Sequence, residues 1–181
     1  DSQYFGNLAT LSYSMPKFYI SSEGRDIDKN FHSMSGIGSR AGELGFLSFF
    51  SYTPTEKLYM NGQLDVFRDR LFPSLENENR WNEDLNLNAT YAFNPTASGS
   101  FDCIFQNELG RLSEIRYFSP GLGFNKTFQN LKRLSTFLNY RYQHNQNFTS
   151  PGLDYENHKV TTGLRFNLAG SLYYFLRHEF N

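Results

Sequence analysis

Between Trp81 and Asn94 the odd positions read Trp81, Glu83, Leu85, Leu87, Ala89, Tyr91 and Phe93, while the even positions read Asn82, Asp84, Asn86, Asn88, Thr90, Ala92 and Asn94. Successive side chains of a β-strand point to opposite faces, so this segment, as a strand, carries one largely apolar face and one face of amides and carboxylates. A helix would scatter both classes around its cylinder. A chain with this period needs a sheet whose two faces meet different surroundings.

The same alternation recurs along the chain. Leu58, Met60, Leu64 and Val66 oppose Lys57, Asn61, Gln63, Asp65 and Asp69; Leu134, Leu138, Tyr140 and Tyr142 oppose Arg133, Ser135, Asn139, Arg141 and Gln143. Val160, Leu164, Phe166 and Leu168 oppose Lys159, Thr161, Arg165 and Asn167, and a final run sets Leu172, Tyr174, Leu176 and Phe180 against Ser171, Arg177 and Glu179. Segments 42–53, 98–109 and 114–128 are less regular but strand-like. One N-terminal strand over about 4–20 has to accommodate Pro16, which predicts a bend or an exposed edge there. That makes nine strands, an odd count that puts the termini on opposite sides. Either 4–20 or 106–128 is then split wrongly, or the chain is part of a larger sheet.

The connections alternate in length. They run long (21–41), short (Pro54 to Glu56), long (72–80), short (Asn94 to Ala97), long (108–114), short (Gln129 to Leu131), long (145–157) and short (Leu168 to Gly170). In an up-and-down arrangement every second connection lies on the same side, so long loops collect at one end and tight turns at the other. Residues 145–157, with Pro151-Gly152 at their centre, lose the period and read as an exposed loop.

Composition narrows the surroundings. The chain is 18% aromatic, with 19 Phe and 12 Tyr, yet its mean hydropathy is only −0.57. No stretch reaches the roughly 18 consecutive apolar residues of a spanning helix. Segments of about 11–15 residues exceed the usual strand of about 5–6 and suit tilted spanning strands. Aromatics gather near strand ends: Tyr52, Trp81, Tyr91, Phe93, Tyr140, Tyr142, Phe166 and Phe180, where interfacial girdles belong. With 17 Lys and Arg scattered among 18 Asp and Glu, no basic field invites nucleic acid. The opening Asp1-Ser2-Gln3 has neither a basic nor an apolar leader segment, which fits a processed chain or an internal piece of a longer one.

Over nearly all its length this pattern resembles bacterial outer-membrane β-barrels, the broad porin-like class, with no family-specific motif beside it. The resemblance implies one all-β domain over 1–181, an antiparallel up-and-down transmembrane β-barrel of about 8–10 strands or a piece of a larger barrel. It implies the bacterial outer membrane as location and the lipid bilayer as partner, with further strands or chains completing the barrel if this is a piece. The expected function is a polar-lined pore or a transport or secretion scaffold, without cofactor. Lys57, Asn61, Gln63, Asp65, Asp69, Asp84, Asn86, Asn88, Arg133, Asn139, Arg141, Lys159 and Arg165 are the candidate lumen-lining residues, and their mixed signs predict little ion preference unless one constriction dominates. Two other readings stay open: a soluble ligand-binding barrel of the calycin type, although Gly-x-Trp is missing near the N-terminus, and a structural barrel that anchors a partner.

Signals for catalysis are thin. His32-Ser33 lies near Asp26, Asp28 and Glu43 in sequence, but a triad needs nucleophile, base and orienter in contact, and adjacent residues of an extended chain point apart. His144 and His158 bracket 145–157 and so face each other across a hairpin mouth, without the further ligands a metal needs. His178 on the apolar stripe reads as interfacial. The lone Cys103 excludes an internal disulfide and, sharing a face with Phe101 and Phe105, reads as a small apolar residue.

Overall fold

The computed structural model describes residues 6–28, 42–69, 80–110, 114–130, 134–169 and 172–180, with side chains except at 69, 167–169 and 172–175. Ten strands form one antiparallel sheet in sequence order: β1 (Gly6–Met15), β2 (Phe18–Ile27), β3 (Glu43–Thr55), β4 (Leu58–Asp69), β5 (Arg80–Asn94), β6 (Ala97–Leu109), β7 (Glu114–Phe128), β8 (Leu134–Asn147), β9 (Tyr155–Ala169) and β10 (Leu172–Phe180). Among the described residues β1 pairs only with β2 and β10 only with β9, so these two are the edges of an open sheet.

The expected strand at 4–20 is two strands. Pro16 and Lys17 form a tight turn between β1 and β2, where proline's fixed φ and missing N–H are an asset. β2 then continues to Ile27 through residues read as loop, and the first long connection is 28–42. Counted between strand ends, the connections 56–57, 95–96 and 170–171 are short and 28–42 and 70–79 long, but the rhythm flattens mid-chain, where 110–113 is no longer than 129–133. The last loop is narrower than 145–157. The β8–β9 ladder runs on to Asn145↔Tyr155, leaving 148–154. Asn147 Oδ1 accepts from the backbone N–H groups of Thr149 (3.1 Å) and Ser150 (2.7 Å), starting a turn that continues as a short 3₁₀ helix at Pro151–Leu153.

Strand register converts the alternation into two continuous surfaces. One row perpendicular to the strands runs Met15, Phe18, Tyr52, Met60, Ala89, Phe101, Leu122, Tyr140, Val160, Phe180 and is apolar at every strand. One residue away, on the opposite face, the row reads Ser14, Tyr19, Ser51, Asn61, Asn88, Asp102, Gly121, Arg141, Lys159. The apolar row starts at the turn end of β1 and leaves at the opposite end of β10, so each strand is staggered against the last. Tight turns exploit that stagger: the carbonyls of Lys17, Lys57 and Thr96 accept from Thr53, Ala92 and Thr127 of the strand beyond, each at 2.8 Å. Pro120 sits inside β7 and donates nothing, and there the β7–β8 pairing skips Ser119 and Pro120.

Exposure is inverted relative to a water-soluble sheet. On β7 the outward residues Leu122, Phe118 and Phe124 are 59%, 41% and 42% exposed, whereas Ser119 on the polar face is fully buried. Leu11, Leu138 and Leu176 are likewise exposed on the apolar face.

Glycines let side chains on flanking strands meet over the strand between them. A Cβ at Gly45 would lie 2.5 Å from Phe67 Cα and still closer to the Val66 carbonyl, backbone that cannot give way, while nothing lies within 4 Å of one at Gly152. Gly45→Ala should therefore cost about 1–3 kcal/mol, as overpacking does, and Gly152→Ala less than about 0.5 kcal/mol. Urea unfolding of the refolded chain measures both, and equal costs would contradict the close approach.

Candidate functional site

Most of the residues expected to share a wall do share one. Asn61, Gln63 and Asp65 of β4, Asp84, Asn86 and Asn88 of β5, Asn139 and Arg141 of β8, and Lys159 and Arg165 of β9 all fall on the polar face by register. Lys57 sits in the 56–57 turn, off the wall. The side chain of Asp69 and the whole of Arg133 lie outside the described residues, as do His32 and Ser33. The eight end-of-strand aromatics, Tyr52, Trp81, Tyr91, Phe93, Tyr140, Tyr142, Phe166 and Phe180, all lie on the apolar face.

Two arginines organise the polar face by the same device. Arg25 of β2 reaches across β3 at Gly45, its register partner, to Asp65 of β4, with Glu43 Oε2 3.4 Å from its other Nη and its guanidinium 6.0 Å from the Phe67 ring centroid. Arg141 of β8 reaches across β7 at Gly121 to Asp102 of β6, at 2.5 Å, and donates to Ser119 Oγ at 3.2 Å. A Cβ at Gly121 would come within 2.6 Å of Asp102 Oδ1, so glycine there is what lets the pair close. Neutral contacts extend the net: Gln143 donates to Tyr117 Oη at 2.9 Å and accepts from Asn157 at 3.3 Å.

Charge is not mixed evenly over this face. β2 to β6 present Glu23, Glu43, Asp65, Asp84, Asp102 and Glu108 against Arg25 and Arg80, whereas β8 to β10 present Arg141, Lys159, Arg165 and Arg177 against Glu179. An acidic flank and a basic flank thus meet at the uncharged polar side of β7. Two hollows follow the division. One of about 550 Å³ is lined by Asp102, Arg141, Lys159 and Arg177 with neutral polar neighbours. Another of about 510 Å³ has Asp84, Glu108 and amides and no cation in its lining.

Arg25, Glu43, Asp102, Arg177 and Glu179 were not among the candidates. Arg25 fell in a presumed loop, and Asp102 in a strand whose alternation is blurred by Cys103 and Ile104. Their signal was positional: a charged residue two places from another polar residue on a long strand.

The histidines form a separate cluster on the apolar face, at the long-loop end. His144 Nδ1 lies 3.2 Å from Glu156 Oε1, the Tyr142 hydroxyl donates to the same oxygen at 3.3 Å, and Tyr140 Oη is 2.8 Å from His158 Nδ1. The Tyr142 and His158 rings, 5.1 Å apart, bring the two sets together. No group of three metal-binding side chains occurs among the described residues. His178 stacks on Phe180 at 4.2 Å, and Cys103 is a free, half-buried thiol on the apolar face. No helix is long and apolar enough to cross a membrane, which says nothing about strands.

Comparison with models of known protein families, with curated proteins and with solved structures yields no match. The geometry must carry the reading.

The Asp102–Arg141 pair is about one-third exposed on both sides, so a double-mutant cycle of Asp102→Asn and Arg141→Gln should give a coupling of about 0.5–1 kcal/mol. It should shrink in 1 M salt. Zero coupling at low salt would contradict the bridge across Gly121.

Proposed function

We propose that the sheet is the wall of an outer-membrane-type β-barrel, apolar face to lipid and polar face to a water-filled passage for small hydrophilic solutes. One observation carries this reading: large apolar side chains such as Leu122, Leu138 and Leu176 stand exposed on one face, while arginines and carboxylates on the other are cross-linked over the strands between them. In water such a surface of leucine and phenylalanine far exceeds the few hundred Å² that a monomeric soluble protein tolerates. In a bilayer it is the solvent-matched surface, and the backbone of β2 to β9 is paired with a neighbouring strand on both sides.

Dimensions agree. From Glu83 to Phe93 on β5 the strand covers about 33 Å at about 3.3 Å per residue, which a tilt of about 40° reduces to about 25 Å, the height of the apolar band in such barrels. Aromatic rings mark the turn-side boundary, with Phe18 edge-on to Tyr52 at 6.1 Å, Tyr91 on Phe93 at 5.2 Å and Phe93 near Phe124 at 6.2 Å. At the long-loop end of the same face stand Glu83 with Asn107, Glu114 with Arg116, and the His144–Glu156 pair, groups suited to headgroups and water. The stagger between strands is the offset that closure into a tilted barrel requires, and it leaves β1 and β10 to meet each other or further strands.

The direct test has two parts. Without detergent the purified chain should aggregate, and refolded in detergent and added to a planar bilayer it should give discrete conductance steps. A monodisperse monomer in plain buffer would refute the membrane reading, and a stably inserted chain without conductance would favour a plugged structural barrel.

Sidedness is testable on its own. Leu122→Arg places a charge in the apolar belt and should cost about 2–4 kcal/mol in lipid, while Asn88→Arg on the polar face should cost about 0–1 kcal/mol. Equal costs at the two positions would mean that the faces are assigned wrongly.

A further inference from the structure

The hollow between β6 and β10 has a definite chemistry. It is lined by Asp102, Asn139, Arg141, Lys159, Thr161 and Arg177, with a volume of about 550 Å³. That lies within the range of about 300–1,000 Å³ usual for small-molecule sites. Three of the lining side chains are cationic, and they meet two carboxylates: Arg141 is held by Asp102, while Lys159 Nζ (3.0 Å) and Arg177 both turn to Glu179. One glutamate shared by two cations leaves their positive charge incompletely neutralised. The Lys159 side chain is 34% exposed and that of Arg177 53%, so both remain open to a solute. Asn139 and Thr161 lie in one register row, Thr161 directly opposite Glu179, and supply neutral donors and acceptors beside the charges.

We propose that this groove is a binding site for a small solute carrying an anionic oxygen group, carboxylate or phosphate, next to hydroxyls, an acidic sugar being the simplest case. The inference deepens the passage reading and rests on it for biological meaning. An anionic group takes donors from Lys159 and Arg177, the geometry in which charge-assisted hydrogen bonds are strongest. The neighbouring hydroxyls exchange hydrogen bonds with Asn139 and Thr161. Asp102 holds Arg141 in place across Gly121 and disfavours a second anion at the far end. The other hollow has Asp84 and Glu108 in its lining and lacks the cationic side chains that this one offers.

The test titrates the whole chain, refolded in detergent, with glucuronate, glucose 6-phosphate and glucose by calorimetry. At least one of the two anionic sugars should bind at least about tenfold more tightly than glucose. The double variant Lys159→Gln, Arg177→Gln should weaken that binding about tenfold or more. Glu179→Gln, which frees both cations, should strengthen it, an outcome that mere damage to the fold would not give. Lys17→Gln removes one positive charge from a turn remote from the groove and should leave affinity unchanged. Equal affinity for glucose and both anionic sugars, no binding of either anion, or weaker binding in Glu179→Gln would each overturn the site. Because binding is read without membrane current, its absence in a conducting chain refutes this site alone, and its presence in a non-conducting chain refutes the passage alone.

Discussion

Two rows of side chains, one residue apart along every strand, have opposite polarity, and the sheet keeps them apart only while every strand keeps its register. A slip of one residue at any pairing would turn Leu122 and Tyr140 toward the polar side and Asp102 and Arg141 toward the apolar side. Burying a charge in an apolar medium costs far more than any single contact supplies. The nine antiparallel registers are therefore locked together, and the stagger they accumulate is a consequence of the same lock.

The polar face adds its own fasteners. Arg25–Asp65 and Arg141–Asp102 each span two pairings, crossing a glycine on the strand between, so each ties three strands at once. Partly exposed pairs of this kind contribute little stability, on the order of 1 kcal/mol or less. Their larger effect is on specificity: a pair that closes across one glycine discriminates against registers that put a side chain there. The apolar face uses the same geometry without charge, where Phe50 and Leu87 close over Gly62. Ion-pair partners on the polar face also fix where unneutralised charge remains, which links the device that holds the sheet to the chemistry of its groove.

The sheet was legible in the sequence because alternation is a local property. Trp81–Asn94 declares its two faces with no knowledge of its neighbours, and the face of Asn61, Asp84, Arg141 and Lys159 followed from parity alone. What depended on partners was hidden. Pro16-Lys17 looked like a flaw in one strand and is the turn between two, because a tight turn leaves no gap in an alternating pattern. The division into acidic and basic flanks was hidden too, since charge signs along the chain give no lateral order until ten strands are set side by side. Arg25 was taken for loop because Ser22, Glu23 and Gly24 interrupt the hydrophobic rhythm before it.

If the sheet is placed as proposed, β7 separates lipid from water residue by residue, and probe accessibility along that strand reads the separation. With Cys103 replaced by serine, single cysteines placed in turn at Phe118, Ser119, Leu122, Gly123 and Phe124 carry spin labels in the refolded chain in lipid vesicles. Relaxation by oxygen, which concentrates in the bilayer, should dominate at 118, 122 and 124, and relaxation by a water-soluble nickel chelate at 119 and 123. The two profiles should alternate out of phase with a period of two. Chelate access at 118, 122 and 124 equal to that at 119 and 123 would mean that both faces see water, and the account of this sheet as a membrane wall would be wrong.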